Sequence, residues 1–300
     1  MFNKKIGLAP MADYTDYAYR KICRDNGADF VFTEMISSDA LIREHEKTSS
    51  MLPKKTETNI GIQLFGNNPD VFSEAGLLVE NFCDWIDINA ACPVNKVVKK
   101  GAGSGLLLNL ENLSNIIYSL KKTVKIPVGV KVRLGFENIE IFKILGTVEK
   151  AGADYIIVHG RTREQLYSGQ SNKKIFKDIR AFSKITLGAS GDVYSKEDIK
   201  EYFEKYGVDF VIAARGSFGN PWIFSDKIPQ IDDIIDTCFE HLKIMIEDYN
   251  NEKYAVTRFR KILMHYFKGY EGAKEIRRNL HTLENFEDVK LLIDRVIIGK

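Results

Sequence analysis

The chain has 300 residues, of which 44% are apolar and 28% are charged, and its formal net charge is +2. This composition allows a large buried core and excludes a polycation, so a nucleic-acid surface would require local clusters of basic residues. The four cysteines form no C-x-x-C pair, so no metal site is expected, and scattered thiols favour a reducing cytoplasm. With no signal-peptide core and no long apolar run, the sequence predicts a soluble, cytoplasmic monomer outside the membrane.

Eight apolar runs of strand length occur before residue 220, and most of the intervals between them have a helical pattern. Gly27, Gly152 and Gly207 each stand shortly before such a run, where glycine commonly ends a helix. Repeated units of helix, turn and strand predict parallel strands joined by helical crossovers. The predicted strands are residues 5–11, 30–36, 59–66, 85–91, 126–134, 155–161, 185–191 and 210–216.

Two of the intervening helices carry recognisable capping residues. Asn68 followed by Pro69 is typical of a helix start, and Ser195 with Asp198 has the spacing of a capping box that Gly207 would terminate. Alternating units of this kind predict an α/β fold, the (β/α)8 TIM barrel, whose binding site lies at the C-terminal ends of the strands.

The pattern changes after residue 224. Strand-like runs cease, and apolar residues such as Cys238, Leu242 and Met245 recur at helical spacing. The sequence therefore predicts a catalytic barrel domain over residues 1–231 and a small all-helical domain over residues 232–300. Basic residues cluster between positions 258 and 278, and taken alone such a cluster is more often a solvated helix face than a binding surface.

Polar and basic residues gather at the predicted strand ends, where a barrel of this class binds its ligand. Lys131 alternates with the valines of the fifth strand, so it faces away from them and toward an anionic ligand. Gly191 after the seventh strand and Arg215 after the eighth favour a phosphate site between these loops. Such a ligand would also contact Gln63 and His159, and FMN fits this outline.

Cys92 follows the fourth strand within the segment NAACPVNK. A lone cysteine there is open to four roles: nucleophile, metal ligand, general acid or core residue. The lack of Cys or His at short spacing argues against a metal ligand, and the position before Pro93, just past a barrel strand, argues against core packing. Cys23, Cys83 and Cys238 are predicted to be core residues.

With these residues in place, the chain resembles the tRNA-dihydrouridine synthases over nearly its whole length. The resemblance implies an FMN enzyme that takes NADPH as co-substrate and reduces the C5–C6 bond of specific uridines in tRNA, without a metal. The segments that carry it are APMADYTDYAYR (9–20), QLFG (63–66), DINAACPVNKVVKKGAGSGLL (87–107), VKVRLG (130–135), VHGRT (158–162), SGD (190–192), ARGSFGNPWIF (214–224) and, in the tRNA-binding domain, RKILMHYFKGYEGAKEIR (260–277).

The resemblance also implies roles for single residues. Cys92 would be the general acid that protonates uracil C5, while reduced FMN gives a hydride to C6. FMN contacts are implied for Pro10, Met11, Ala12, Gln63, Lys131, His159, Ser190, Gly191, Asp192, Ala214 and Arg215. In this context the expected substrate and RNA contacts are Asn89, Lys96, Lys99, Arg133, Arg161, Arg163, Arg258, Arg260, Lys261 and Arg277.

Some alternatives stay open on the sequence. Lys96, Lys99 and Lys100 either lower the pKa of Cys92 or face the RNA backbone. Two other functions also compete: an FMN barrel oxidoreductase that acts on a free pyrimidine, and a non-catalytic RNA-binding barrel. The first leaves the basic helical domain unexplained, and the second predicts a protein without bound flavin.

Overall fold

The computed structural model describes residues 2–299, without the side chains of residues 46 and 47. Within this range, eight parallel strands form a closed barrel in which each strand pairs with its neighbours in sequence and the last pairs with the first. The predicted (β/α)8 fold is therefore confirmed. The strands are β1 (Lys5–Leu8), β2 (Phe30–Ser37), β3 (Ile60–Phe65), β4 (Trp85–Ala90), β5 (Val128–Arg133), β6 (Tyr155–His159), β7 (Thr186–Ser190) and β8 (Phe210–Ala213).

Helices connect the strands and build the C-terminal region. They are α1 (Tyr17–Asp25), α2 (Ser38–Ile42), α3 (Glu46–Ser49), α4 (Pro69–Val79), α5 (Asn95–Val98), α6 (Leu110–Thr123), α7 (Ile141–Lys150), α8 (Ile175–Phe182), α9 (Lys196–Tyr206), α10 (Ile231–Tyr249), α11 (Glu252–Tyr266), α12 (Ala273–Asn279) and α13 (Phe286–Ile293). Short 3-10 turns occur at Glu80–Phe82, Gly103–Leu108, Arg215–Ser217, Pro221–Phe224 and Leu280–Thr282, and a π turn spans Asp294–Ile298.

The capping residues act as predicted. The Asn68 side chain accepts hydrogen bonds from the first turn of α4, and Ser195 and Asp198 form a reciprocal capping box at the start of α9. Gly207 ends α9 with φ +65°, in the left-handed region that glycine enters without strain. Local sequence chemistry therefore sets these helix boundaries.

Four aromatic side chains from the even-numbered strands form the floor of the barrel. Phe30, Trp85, Tyr155 and Phe210 face the interior, and the ring of Phe2 packs among them at centroid distances of 4.4–5.4 Å. Layers of four side chains from alternate strands are the usual way in which such barrels are filled. This layer closes the N-terminal end of the barrel.

Glycines on the odd-numbered strands make room for this floor. There is one such glycine on each of the four odd-numbered strands. A Cβ atom added at any of them would overlap the aromatic ring on the adjacent strand, so no larger residue fits there unless the ring or the backbone moves. The register pairs are Gly7 with Phe30, Gly61 with Trp85, Gly129 with Tyr155 and Gly188 with Phe210.

The C-terminal helices have a hydrophobic core of their own, in which Cys238, Leu242 and Phe259 are fully buried. That core continues into Ala18 of α1 and Trp222 after β8, so the helices dock beside the first and last strands of the barrel. The predicted helical region is present, whereas its boundary at residues 231 and 232 stays a prediction. No helix in the described range is long and apolar enough to cross a membrane.

Candidate active site at the mouth of the barrel

A cavity of about 400 Å³ opens at the C-terminal ends of the barrel strands. Cys92 and Asn89 line it, together with every residue for which an FMN contact was implied. The structure thus brings the predicted acid and the predicted cofactor residues into one site, while their contacts with a cofactor stay predictions. Those lining residues are Pro10, Met11, Ala12, Gln63, Lys131, His159, Ser190, Gly191, Asp192, Ala214 and Arg215.

The loops after β7 and β8 meet closely at one side of this cavity. Gly191 and Asp192 have φ values of +115° and +49°, which turns the backbone sharply after β7. A side chain at Gly216 would collide with the carbonyl oxygen of Val193, so the two loops are in direct backbone contact. A backbone-lined concavity of this kind is suited to an anion.

Arg215 contributes a cation to the same side of the cavity. Its guanidinium group lies 5.1 Å from the ring centroid of Tyr167 and 5.8 Å from that of Tyr194. Asp192 lies 3.4 Å from the guanidinium. Tyr167 was missed at the sequence level, because it stands in the loop after β6, where no periodic pattern indicates a partner.

His159 lies at the end of β6 with a nearly buried ring. Desolvation, followed by the charges of Lys131, Arg133, Arg161 and Arg215, holds the pKa of His159 well below its usual range, so the imidazole is neutral at pH 7. Its Nδ1 atom is buried and has no hydrogen-bond partner among the described residues. A neutral ring with an unused nitrogen can bind a polar ligand atom.

A chain of hydrogen bonds links the barrel interior to the backbone of Cys92. The Nε2 atom of Gln63 donates to Oδ2 of Asp87 at 2.6 Å, and Nδ2 of Asn89 donates to Oε1 of Gln63 at 2.7 Å. Oδ1 of Asn89 accepts from the backbone N–H groups of Ala91 and Cys92, at 3.0 and 2.8 Å. Asn89, expected to hold a ligand edge, therefore also positions the cysteine loop.

The Cys92 thiol lies at the cavity wall and is partly exposed. Burial raises the pKa of the Cys92 thiol, and the charges of Lys131 and Arg133 oppose that rise. Lys96 and Lys99 are exposed on and just after α5, and the cations that act on the thiol are those of β5. Lys96 and Lys99 are thus not among the cations that act on the thiol, and the alternative in which they face the RNA backbone stays a prediction.

Asp87 is a second residue that was missed at the sequence level. It is fully buried, and burial raises its pKa while the Gln63 hydrogen bond and the charge of Lys131 lower it. Burial correspondingly lowers the pKa of Lys131. Strand alternation could have placed Asp87 on the same inward face as Asn89, two residues further along β4.

Two of the predicted RNA contacts lie mostly inside the protein. Arg133 is buried and donates to the carbonyl oxygens of Ala91, Thr162 and Leu166. Arg161 is also buried, and its guanidinium is paired with a carboxylate at 2.7 Å and bonded to backbone carbonyls. Both side chains hold the loop after β6 in place, and Arg133 also lines the cavity, so substrate or RNA contact by either residue stays a prediction.

The remaining predicted RNA contacts divide into two groups. Lys96, Lys99 and Arg277 are exposed, so their side chains are accessible to a phosphate. The others are engaged within the protein: Arg163 with Asn95 and Glu164, Arg258 with Asp13, Arg260 with the Leu283 carbonyl, and Lys261 with the Asp13 carbonyl. RNA contact by either group stays a prediction.

The chain is thus a closed (β/α)8 barrel with a cavity lined by Lys131, Arg133 and Arg215 at the C-terminal strand ends, the face at which enzymes of this fold bind their ligands. The family model described as dihydrouridine synthase matches residues 7–297. The chain therefore belongs to the dihydrouridine synthase family.

Two relatives illustrate the match. The chain is 32% identical over 293 residues to the probable tRNA-dihydrouridine synthase of Aquifex aeolicus, which covers 94% of this chain and 92% of that protein. It is 33% identical over 278 residues to tRNA-dihydrouridine synthase B of Pasteurella multocida, covering 91% and 81%.

Solved structures of other proteins share the fold. Histamine dehydrogenase from Rhizobium sp. 4-9 superposes with a TM-score of 0.52 at 14% identity, over 90% of this chain and 56% of that one. DHODH from Eimeria tenella superposes with a TM-score of 0.53 at 16% identity, over 81% and 82%. At these identities the likeness concerns the barrel architecture alone.

Proposed function

We propose that this protein is a flavin-dependent tRNA-dihydrouridine synthase, which converts specific uridines of tRNA to 5,6-dihydrouridine. The observation that carries the proposal is the presence, in one cavity, of the Cys92 thiol, the cations Lys131 and Arg215, and the backbone turn at Gly191. Membership of the dihydrouridine synthase family supports the reaction, and the names of the two relatives support tRNA as the substrate.

The residues of the cavity fit FMN as the bound cofactor. The left-handed turn at Gly191 and the Arg215 guanidinium suit a phosphate, while the unpaired Nδ1 of His159 and the Gln63 amide suit the polar edge of a ring. Lys131 brings a positive charge to the same cavity. These features support a phosphate-bearing, hydrogen-bonding cofactor rather than an apolar ligand.

The reaction adds a hydride to C6 and a proton to C5 of uracil. Bound FMN, once reduced by NADPH, would supply the hydride. The Cys92 thiol would donate the proton to C5, because its raised pKa keeps it protonated at pH 7. The thiolate left behind is stabilised by Lys131 and Arg133 until water returns the proton.

The tRNA would reach the cavity past α5 and the helical region. A uridine must leave its stack to enter the cavity, which costs a few kcal/mol. Phosphate contacts of exposed cations such as Lys96, Lys99 and Arg277 would offset that cost. The four unbridged thiols support a reducing cytoplasm as the compartment.

The proposed function is tested with purified protein, FMN, NADPH and tRNA that lacks dihydrouridine. FMN should bind stoichiometrically, NADPH should bleach its absorbance, and the tRNA should restore it while gaining dihydrouridine. A protein that binds tRNA but no flavin would identify the non-catalytic RNA-binding barrel. Equal turnover of free uridine would identify the pyrimidine oxidoreductase instead.

Substitution of the acid tests the mechanism. Cys92→Ala should keep FMN binding and reduction by NADPH, but lower dihydrouridine formation by about 10²–10⁴-fold, the usual contribution of a positioned acid. The matched control is Cys83→Ala, because Cys83 lies next to the start of β4 and bonds to the Val79 carbonyl, away from the cavity. Wild-type turnover by Cys92→Ala would remove the acid role.

A further inference from the structure

The inward-facing layer above the aromatic floor contains one departure from the barrel pattern. On β2, β6 and β8 the inward residues of this layer are Phe32, Ile157 and Ile212, which belong to the same interior cluster as the floor. On β4 the equivalent residue is Asp87, which is fully buried. A carboxylate in such a layer carries a large desolvation penalty, so packing alone gives no reason for it.

The hydrogen bond to Asp87 fixes the orientation of the Gln63 side-chain amide. Gln63 is its register partner on β3, and Nε2 of Gln63 lies 2.6 Å from Oδ2 of Asp87. Burial raises the pKa of Asp87 to about 7 and lowers the pKa of Lys131 to about 8, so the carboxylate is ionised in the pH range where the lysine titrates. An ionised carboxylate only accepts hydrogen bonds, so the amide nitrogen of Gln63 must face Asp87 and its oxygen must face Asn89. Asn89 in turn presents its oxygen to the N–H of Cys92.

The second oxygen of Asp87 makes no hydrogen bond, and its charge acts on Lys131 through space without a direct ion pair among the described residues. Oδ1 of Asp87 is buried and has no hydrogen-bond partner among the described residues. In the register of β4 and β5, Asp87 pairs with Gly129 and Lys131 pairs with Asn89, so the lysine lies one pleat nearer the mouth.

The other titratable groups around Lys131 do not replace this counter-charge. Arg133 on β5 lowers the pKa of Lys131, whereas Asp87 and the Cys92 sulfur raise it. From β6, the neutral His159 ring and the Tyr155 hydroxyl face the same region, and neither carries charge at pH 7. Asp87 is thus the carboxylate that acts on the Lys131 amine.

We propose that Asp87 is a positioning residue, whose carboxylate orients the Gln63 amide and keeps Lys131 protonated at the wall of the active site. Its importance for turnover rests on the proposed function, whereas its effect on Lys131 does not depend on that function. Lys131 and Gln63 would contact the ligand, and Asp87 would act through them.

Two nearly isosteric substitutions separate the two effects. Asp87→Asn keeps an oxygen that can accept from Gln63 but removes the charge, and Asp87→Leu removes both while completing the apolar layer. The Lys131 amine is followed by NMR of 13Cε-labelled lysine across pH, in flavin-free and FMN-loaded protein, with Lys131→Met for assignment. Denaturant unfolding and the pH dependence of single-turnover tRNA reduction are measured on the same variants.

Both substitutions should lower the titration midpoint of Lys131 by roughly one to three pH units, since a lost opposite charge disfavours the protonated amine. The alkaline limb of the turnover profile should move to lower pH by the same amount, with a loss of about tenfold or more at pH 8. Stability should fall in both variants, because removing one partner of a buried charge pair leaves the Lys131 amine uncompensated. It should fall further in Asp87→Leu, since leucine also leaves the Gln63 amide nitrogen without its acceptor.

An unchanged Lys131 midpoint in Asp87→Asn would overturn the proposal, as would unchanged turnover profiles in both variants. Loss of stability with wild-type titration would show a merely structural role and overturn it too. Asp178→Asn on the exposed face of α8 is the matched control and should alter none of these measurements. If wild-type protein neither binds FMN nor reduces tRNA, the proposed function fails while the Lys131 titration still tests Asp87.

Discussion

At the scale of single residues, backbone contacts hold Cys92 at the cavity wall. Its N–H donates to Asn89, and its carbonyl oxygen accepts from both the hydroxyl and the N–H of Ser104. Gly103 has φ +58°, and a side chain there would approach the same carbonyl to 2.8 Å. The glycine-rich run after Cys92 therefore folds back to support the cysteine loop.

Alkylation should report the protonation state of this thiol directly. Iodoacetamide reacts with thiolates, and burial raises the pKa of Cys92, so its labelling near pH 7 should be slower than in the unfolded chain. Labelling should then accelerate as the pH rises beyond the usual thiol range. Mass spectrometry of each cysteine peptide, in flavin-free protein, provides the rates.

Cys83 gives an internal comparison in the same experiment. Burial raises the pKa of Cys83 to about 12, so it should react more slowly than Cys92 at every pH. Rapid labelling of Cys92 near neutral pH would mean that it is a thiolate, which contradicts its role as a proton donor. The rate profile thus checks the acid role without any turnover.

At the scale of secondary-structure elements, the two ends of the barrel differ in their interior side chains: the N-terminal end is packed with aromatic rings, and the C-terminal end is open. Glycine on each odd-numbered strand faces an aromatic ring on the next strand, which fills the N-terminal end completely. Nearer the C-terminal mouth the interior side chains become polar, with Gln63 and Lys131 on odd strands and Asn89 and His159 on even strands. The filled floor leaves the C-terminal mouth as the place for a ligand.

Gly129→Ala should therefore destabilise the barrel by about 1–3 kcal/mol, the usual effect of overpacking a rigid core. The added methyl group would overlap the ring of Tyr155 across the β5–β6 pair. Gly146→Ala is the matched control, because a Cβ there meets nothing within 4 Å inside α7. Gly146→Ala should raise the free energy of unfolding by up to about 1 kcal/mol, because alanine has a higher helix propensity than glycine.

Urea unfolding at equal FMN occupancy measures both changes. Equal stability of Gly129→Ala and wild type would show that the floor can shift, and that the aromatic layer is not tightly packed. A further substitution, Tyr155→Leu, should recover part of the loss in Gly129→Ala, since it removes the overlapping ring.

The sequence was sufficient for the elements but not for every side chain. Apolar runs and capping residues such as Asn68 and Ser195 act locally, so the strands and helix starts were predictable from short segments. The hydrogen bonds of Arg133 and Arg161 were not, because most of their partners are carbonyl groups of loops without a periodic pattern. Asp87 was missed because one acidic residue in an apolar strand does not reveal its buried partners.

At the scale of the whole molecule, the helical region joins the barrel beside the active-site mouth. Tyr14 stacks on Phe218 at 4.1 Å, and both line the cavity. Lys261 of α11 lies over the Tyr14 ring, and the His265 ring packs against Phe218. The placement of the helices is therefore coupled to the cavity rim, and a tRNA bound across both would span this contact.

Two sets of basic residues in the helical region should respond differently to substitution. Lys274, Arg277 and Arg278 are exposed on α12, so replacing all three by Ala should weaken tRNA binding. Each phosphate contact that is lost should reduce the slope of log affinity against log salt by about 1. FMN content and the free energy of unfolding should stay at wild-type values.

Arg260 and Lys261 provide the contrast, because their side chains bond to carbonyl oxygens of Leu283 and Asp13. Replacing both by Ala should loosen the helices from one another and from the loop after β1, so stability should fall while the salt slope changes little. Filter binding of tRNA over a range of salt, paired with urea unfolding, separates the two effects. If this second variant showed a flattened slope of log affinity against log salt and full stability, the RNA contact would be assigned to Arg260 and Lys261 instead of to α12.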